Sequence, residues 1–166
     1  GPAQGNPSHP LRWGRPRSGR RTRGLELEWN ESINSWLNST GRSTALKCAV
    51  NEELKEEWEK YLEQTQNHVA IYERTMKTFG LDPNQETPGR QVVRHIGESL
   101  VKAMELAQQA GDPAAAQLVA AECVVHAETK DHMNWELIGQ VAEKVKGDRG
   151  KALKEAHEEV EEEEDE

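Results

Sequence analysis

Histidines and carboxylates recur at helical spacing in the stretch "AAECVVHAETKDHMNWE". Glu122 precedes His126 by one helical turn, and Glu128 precedes His132 in the same way. Imidazole and carboxylate groups are common ligands of divalent metals, and a carboxylate on an apolar helix face is costly to bury without a partner. The pattern indicates a bound cation, a partner on another helix, or ordinary Glu–His pairs on a half-exposed face.

A single histidine, His68, lies in the middle of another long helical pattern. Apolar residues recur every three or four positions from Leu54 to Phe79, and His68 falls on their stripe. Thr65 stands three residues before it, where a metal-binding bundle helix would carry the Glu of a Glu-x-x-His pair. Two interpretations remain: a metal ligand, or a core histidine hydrogen-bonded to Thr65 or Tyr72.

The last helical pattern offers further carboxylates. Glu163 and Glu164 continue the inward line that ends at Val160. Glu164 would open a Glu-x-x-His whose histidine falls at position 167. Because the chain lacks an initiator Met and stops in an acidic helical run, we expect a fragment whose last helix is truncated.

Composition predicts an all-α protein. Hydrophobic residues make up 34% of the 166 residues and charged residues 31%, with good helix formers such as Ala, Glu and Leu throughout. Cap and stop residues predict helices over 51–79, 89–110 and 113–146, and a last helix from about 148. Short joints then indicate an antiparallel up-and-down bundle. The predicted core-facing residues of the middle two helices include Val93, Ile96 and Leu100, and Leu118, Ala121 and Val125.

Three regions follow from the composition along the chain. Residues 1–24 are rich in Pro, Gly and Arg and carry no acid, which predicts a disordered basic tail. Residues 25–50 are expected to form a short amphipathic helix and a linker. Residues 51–166 form the predicted bundle.

Charge and cysteine content bear on partners and location. The net charge of −9 opposes a wide nucleic-acid interface, so we expect no nucleic-acid partner. No run of residues is apolar enough to predict a membrane span. Two cysteines without metal or disulfide spacing fit a reducing, cytoplasmic location.

Three stretches of the chain resemble the second, third and fourth helices of ferritin-like, rubrerythrin-related bundle proteins. They are "EKYLEQTQNHVAIYERTMKTFGLDP", "DPAAAQLVAAECVVHAETKDHMNWELI" and "ALKEAHEEVEEEEDE". The resemblance covers about 51–166. It implies a four-helix bundle, and a di-iron site that is incomplete on this chain. It also implies iron handling or oxidative-stress protection, without deciding whether the chain is an enzyme. The ligands that it implies are His68, Glu122 or Glu128 with His132, and Glu164.

An alternative function belongs to another class. The chain would then be a metal-free helical scaffold or stress-associated protein that acts through association with itself or a partner. Under either hypothesis we expect a homo-oligomer, in its simplest form a dimer.

Overall fold

A computed structural model describes residues 41–164, with side chains through Glu163. All regular structure in this range is helical, which confirms the all-α prediction. The helices are α1 (Arg42–Cys48), α2 (Glu52–Phe79), α3 (Pro88–Gln109), α4 (Pro113–Ala142) and α5 (Asp148–Glu164).

Side-chain caps set the helix starts that the sequence predicts. The side chain of Asn51 accepts a hydrogen bond from the amide of Leu54, 2.9 Å away, at the start of α2. The carboxylate of Asp112 accepts from the first amides of α4, and Pro113 occupies the first turn, where its missing N–H costs nothing. Gly80 ends α2 with φ 68°, a conformation that other residues adopt only with strain.

The short helix α1 lies where the sequence indicates only a linker. Its sequence, RSTALKC, contains the good helix formers Arg, Ala, Leu and Lys, but a helix of seven residues is marginal alone. Burial of Ala45 and Cys48 stabilises it, since both side chains are almost fully enclosed. The loop after α1 is fastened to α4, because the Gln117 side-chain oxygen lies 2.8 Å from each of the backbone nitrogens of Val50 and Asn51.

Helix α4 is the central element of the described range. It packs against α1, α3 and α5, while α2 packs against α5 and α1. Two clusters of buried apolar side chains result. The C-terminal core contains Ile71, Tyr72, Met76, Trp135, Ile138, Ala142, Leu153, Ala156 and Val160. The N-terminal core contains Ala45, Cys48, Trp58, Val101, Met104, Ala116, Ala120 and Cys123.

The predicted core-facing stripes of α3 and α4 are wrong in part. Ile96 is 53% exposed, and Leu118 and Val125 are 68% and 60% exposed. The buried face of α4 instead combines small and polar residues with two large apolar ones, Trp135 and Ile138; the others are Ala116, Ala120, Cys123, Ala127, Asp131, Asn134 and Ala142. Because α4 carries apolar residues on every side, periodicity alone did not select this face.

Some predictions lie outside the described residues. These are the disordered tail over 1–24 and the amphipathic helix predicted before residue 41. Within residues 41–164, none of the helices combines the length and the apolar content needed to cross a bilayer.

Candidate functional site

A buried polar layer separates the two apolar cores, with His68 at its centre. His68 is 4% exposed and Asp131 is 2% exposed. Nδ1 of His68 lies 3.2 Å from Oδ2 of Asp131. An ionised carboxylate only accepts hydrogen bonds, so this contact places the proton of a neutral imidazole on Nδ1 and leaves a lone pair on Nε2.

The other ring nitrogen of His68 faces α5. Nε2 lies 3.5 Å from Oε2 of Glu163. Both atoms are buried, and neither has a hydrogen-bond partner among the described residues. Glu163 is held in place from α2, because Asn67 donates to its Oε1 and the Gln64 side chain donates to its main-chain oxygen at 2.7 Å.

The ring of His68 is also fixed by packing. Trp135 meets it edge to face, with ring centroids 6.0 Å apart and planes at 69°. Trp135 belongs to the C-terminal core and is 3% exposed. Packing and hydrogen bonding therefore restrain the direction of the Nε2 lone pair before any ligand arrives.

An ion pair between a buried arginine and a half-buried glutamate completes the polar layer on the side of α1. The guanidinium of Arg42, 3% exposed, donates to Oε1 of Glu128. Burial lowers the pKa of Arg42, and the negative charges of Glu128 and Asp131 oppose that shift. Burial also lowers the pKa of Lys130, which Asp131 again opposes. Asp131 is thus the carboxylate that neighbours both basic groups and His68.

Carboxylates outnumber basic side chains in this layer. Glu128, Asp131 and Glu163 stand against Arg42 and Lys130. Excess negative charge in a buried place is costly unless a cation or a proton neutralises it. The site is therefore suited to a positively charged ligand.

A cleft of about 790 Å³ opens between α2 and α4 beside this layer. Its α2 wall includes Trp58, Tyr61 and His68, and its α4 wall includes Glu128 and His132. A volume of this size lies within the range of small-ligand sites and gives solvent ions a route toward the polar layer.

The predicted site residues are only partly brought together. His68, Glu128 and His132 line the same cleft, with His68 buried, Glu128 half-buried and His132 exposed at the rim. Glu122 is exposed and lies outside the cleft lining. The side chain of Glu164 is outside the described part of the chain. Metal binding by this set stays a prediction.

Four residues of the polar layer were not predicted as site residues: Arg42, Lys130, Asp131 and Glu163. Asp131 follows a lysine and precedes a histidine, so its position resembles an ordinary charged surface turn. Arg42 lies in the unpredicted helix α1, and Glu163 lies in the acidic run beside the predicted ligand Glu164. The i, i+3 spacing of Glu128 and Asp131 on one helix is the signal that could have found Asp131.

In residues 41–164, no group of three His, Cys, Asp or Glu side chains is arranged to hold one ion. The described geometry instead supplies two candidate ligand atoms, Nε2 of His68 and Oε2 of Glu163, with Asp131 behind the ring. A carboxylate that binds the second ring nitrogen of a histidine is the arrangement that orients histidine ligands in metal proteins.

Comparisons with protein-family models, with curated proteins and with solved structures found no match to this chain.

Proposed function

We propose that this chain is a ferritin-like helical bundle protein that binds a divalent metal, iron or another, between α2, α4 and α5. The observation that carries the proposal is the pair of Nε2 of His68 and Oε2 of Glu163. These buried atoms lie 3.5 Å apart, and neither meets a hydrogen-bond donor within the described range. Two ligands of one ion, each about 2.0–2.2 Å from it, are separated by a distance of this order.

The fit of the site to a metal rests on its donors. A neutral imidazole nitrogen and a carboxylate oxygen suit Fe²⁺ and Zn²⁺ better than Ca²⁺ or Mg²⁺, which prefer oxygen ligands alone. Asp131 would hold the imidazole in the tautomer that offers Nε2. When bound, such an ion supplies Lewis acidity or, for iron, redox chemistry; the residues described here bind and orient it.

The helix arrangement that we propose is an antiparallel bundle. Contacts on α5 support it: Gly139 of α4 lies against His157, and Ala142 and Val145 lie against Gly150. On the other side, α2 contacts Glu163 through Gln64 and pairs Arg74 with Glu159. Residue numbers rise along one helix of each pair as they fall along α5, as in antiparallel neighbours.

Metal titration tests the proposal. Co²⁺ and Zn²⁺ serve as probes, the first by its visible absorption and the second by calorimetry. Wild-type protein is expected to bind about one ion per chain, and His68→Ala to abolish that binding. Glu163→Gln is expected to weaken it strongly, and Asp131→Asn by about 10–100-fold, since Asp131 acts through the histidine.

His126→Ala is the matched control, because His126 is an exposed histidine of α4 outside the cleft lining. It is expected to bind the probes like wild type. The proposal would be overturned if wild-type protein bound neither ion, or if His68→Ala bound both ions as well as wild type does.

A second candidate function is self-association as a metal-free scaffold. Seven large apolar side chains of the described range are more than half exposed: Val50 after α1, Val92, Ile96 and Leu106 on α3, and Leu118, Val125 and Met133 on α4. Burying such side chains against a second copy would remove them from water. Light scattering is expected to show a dimer that Leu118→Glu or Val125→Glu converts to monomer, while Gln140→Glu leaves it intact. A monomeric wild-type chain contradicts this function.

A further inference from the structure

We infer that Arg42 occupies a second cation site, formed by Glu128 and Asp131, and that displacing its guanidinium opens this site to a hard divalent cation such as Mn²⁺. The inference concerns carboxylate oxygens on α4 and does not depend on the metal proposed at His68 and Glu163.

The two carboxylates share one face of α4. Glu128 and Asp131 are three residues apart, so their side chains project from neighbouring positions on the helix. Arg42 donates to Oε1 of Glu128 and is attracted electrostatically by Asp131 as well. One positive group thus contacts Glu128 and is attracted by Asp131, two carboxylates that come from one helix.

The guanidinium of Arg42 does not use all of its hydrogen-bond donors at this site. Its Nε and Nη1 are buried and have no hydrogen-bond partner in the described part of the chain. Oδ1 of Asp131 is likewise buried without a partner there. A planar fork can pair with a carboxylate through two parallel bonds, but the contact with Glu128 leaves donors of this fork unused. Arg42 therefore acts at this site mainly through its positive charge, since part of its hydrogen-bonding capacity is unused.

Removing the guanidinium would leave a cation site whose protein ligands are all carboxylate oxygens. Two carboxylates without an imidazole favour hard cations such as Mn²⁺, Mg²⁺ or Ca²⁺, which take oxygen ligands and keep some of their water. The cleft that Glu128 lines gives water and ions access. Left empty, the half-buried carboxylate of Glu128 and the buried carboxylate of Asp131 would repel each other, so a bound cation and the charge of Arg42 are alternatives.

The position of Arg42 on α1 gives a structural basis for exchanging its guanidinium for a metal ion. Helix α1 is short and contacts α2, α3 and α4, and its following loop is fastened to Gln117. Whether the guanidinium reaches Glu128 thus depends on the docking of one small helix.

Binding of Mn²⁺, followed by electron paramagnetic resonance of the free ion, tests the inference. Arg42→Met is expected to bind one Mn²⁺ per chain at least tenfold more tightly than wild type. Arg42→Lys keeps the positive charge and is expected to behave like wild type. Arg42→Met combined with Glu128→Gln is expected to lose the gain. Arg74→Met is the matched control, because Arg74 pairs with Glu159 on the exposed surface.

Combining Arg42→Met with His68→Ala separates this site from the proposed function. Retention of the tight Mn²⁺ site in that double variant supports the inference even if wild-type protein binds no Co²⁺ or Zn²⁺. A folded Arg42→Met variant that binds Mn²⁺ no more tightly than wild type overturns the inference. If Arg42→Met is unfolded without metal, recovery of its helical circular dichroism in Mn²⁺ supports the inference, since a ligand of the folded state stabilises it; absence of recovery overturns it.

Discussion

The two apolar cores meet the same central helix, which contributes side chains of different size to each. The C-terminal core brings Ile71 and Trp135 together with Leu153 of α5, and the first and last are at most 1% exposed. The N-terminal core places Ala120 of α4 beside Ala45 of α1, and these are equally enclosed. Helix α4 thus contributes large side chains, Trp135 and Ile138, to one core and small ones, Ala116, Ala120 and Cys123, to the other.

This difference predicts opposite sensitivities to substitution. A core filled by large side chains suffers most when volume is removed, because a cavity remains. Buried alanines such as those that α4 contributes to the N-terminal core suffer most when volume is added, because the neighbouring atoms must move. The polar layer around His68 lies between the two and responds to charge more than to volume.

Ile71→Ala should produce the largest loss of stability. Ile71 is 0% exposed in the C-terminal core, and truncation of a fully buried isoleucine costs about 2–5 kcal/mol. Urea unfolding followed by circular dichroism measures the change. Val125→Ala, which removes atoms from a side chain 60% exposed, should change stability by about 0.5 kcal/mol or less. Equal losses in both variants would contradict the assignment of the C-terminal core.

Ala120→Leu should produce the next largest effect. The side chain of Ala120 is 0% exposed, and added methyl and methylene groups in a well-packed core cost about 1–3 kcal/mol. Ala115→Leu is the control on the same helix, because Ala115 is exposed. A stabilised Ala120→Leu variant would mean that the N-terminal core contains unfilled space.

The smallest expected effect is a difference in pH dependence between the cores. Burial raises the pKa of Cys123, as do the nearby Cys48 thiol and Glu122 carboxylate; burial raises the pKa of Cys48, against a hydrogen bond from Gln108. The folded state therefore favours both protonated thiols. Their contribution is fully present below the ordinary thiol pKa of about 8.5 and is lost as pH rises through the higher folded-state values.

Unfolding free energies measured from pH 7 to 10.5 check this sign. Wild-type stability should fall above about pH 8.5, and the Cys48→Ala/Cys123→Ala double variant should fall less steeply. Parallel curves for the two proteins would contradict the expectation. Because the titration of Tyr61 is common to both proteins, it does not affect the difference between them.

Local signals in the sequence predicted the helices well. Asn51, Gly80 and Asp112 act within one turn of their own position, so cap and stop residues could be read directly. The observed end of α4 at Ala142 is four residues earlier than the predicted one, although the amides of Glu143 and Val145 still donate to carbonyls four residues back.

The candidate site was predicted less well, for a physical reason. His68 was predicted on the inner stripe of α2, and it is buried. Its partner Asp131 and the ion pair of Arg42 with Glu128 depend on how α4 is rotated and on where α1 docks. Those features are set by packing between distant segments, which the periodicity of one helix does not encode.

The two contacts of Gln117 have a consequence for amide hydrogen exchange. Val50 and Asn51 lie in an exposed loop, where backbone amides usually exchange with solvent within moments, yet both N–H groups point at the same side-chain oxygen. Deuterium uptake at these two positions therefore reports, without any substitution, how often the loop lifts from α4. Because α1 directly precedes that loop, slow deuterium uptake at Val50 and Asn51 indicates that α1 remains docked, with Arg42 in contact with Glu128.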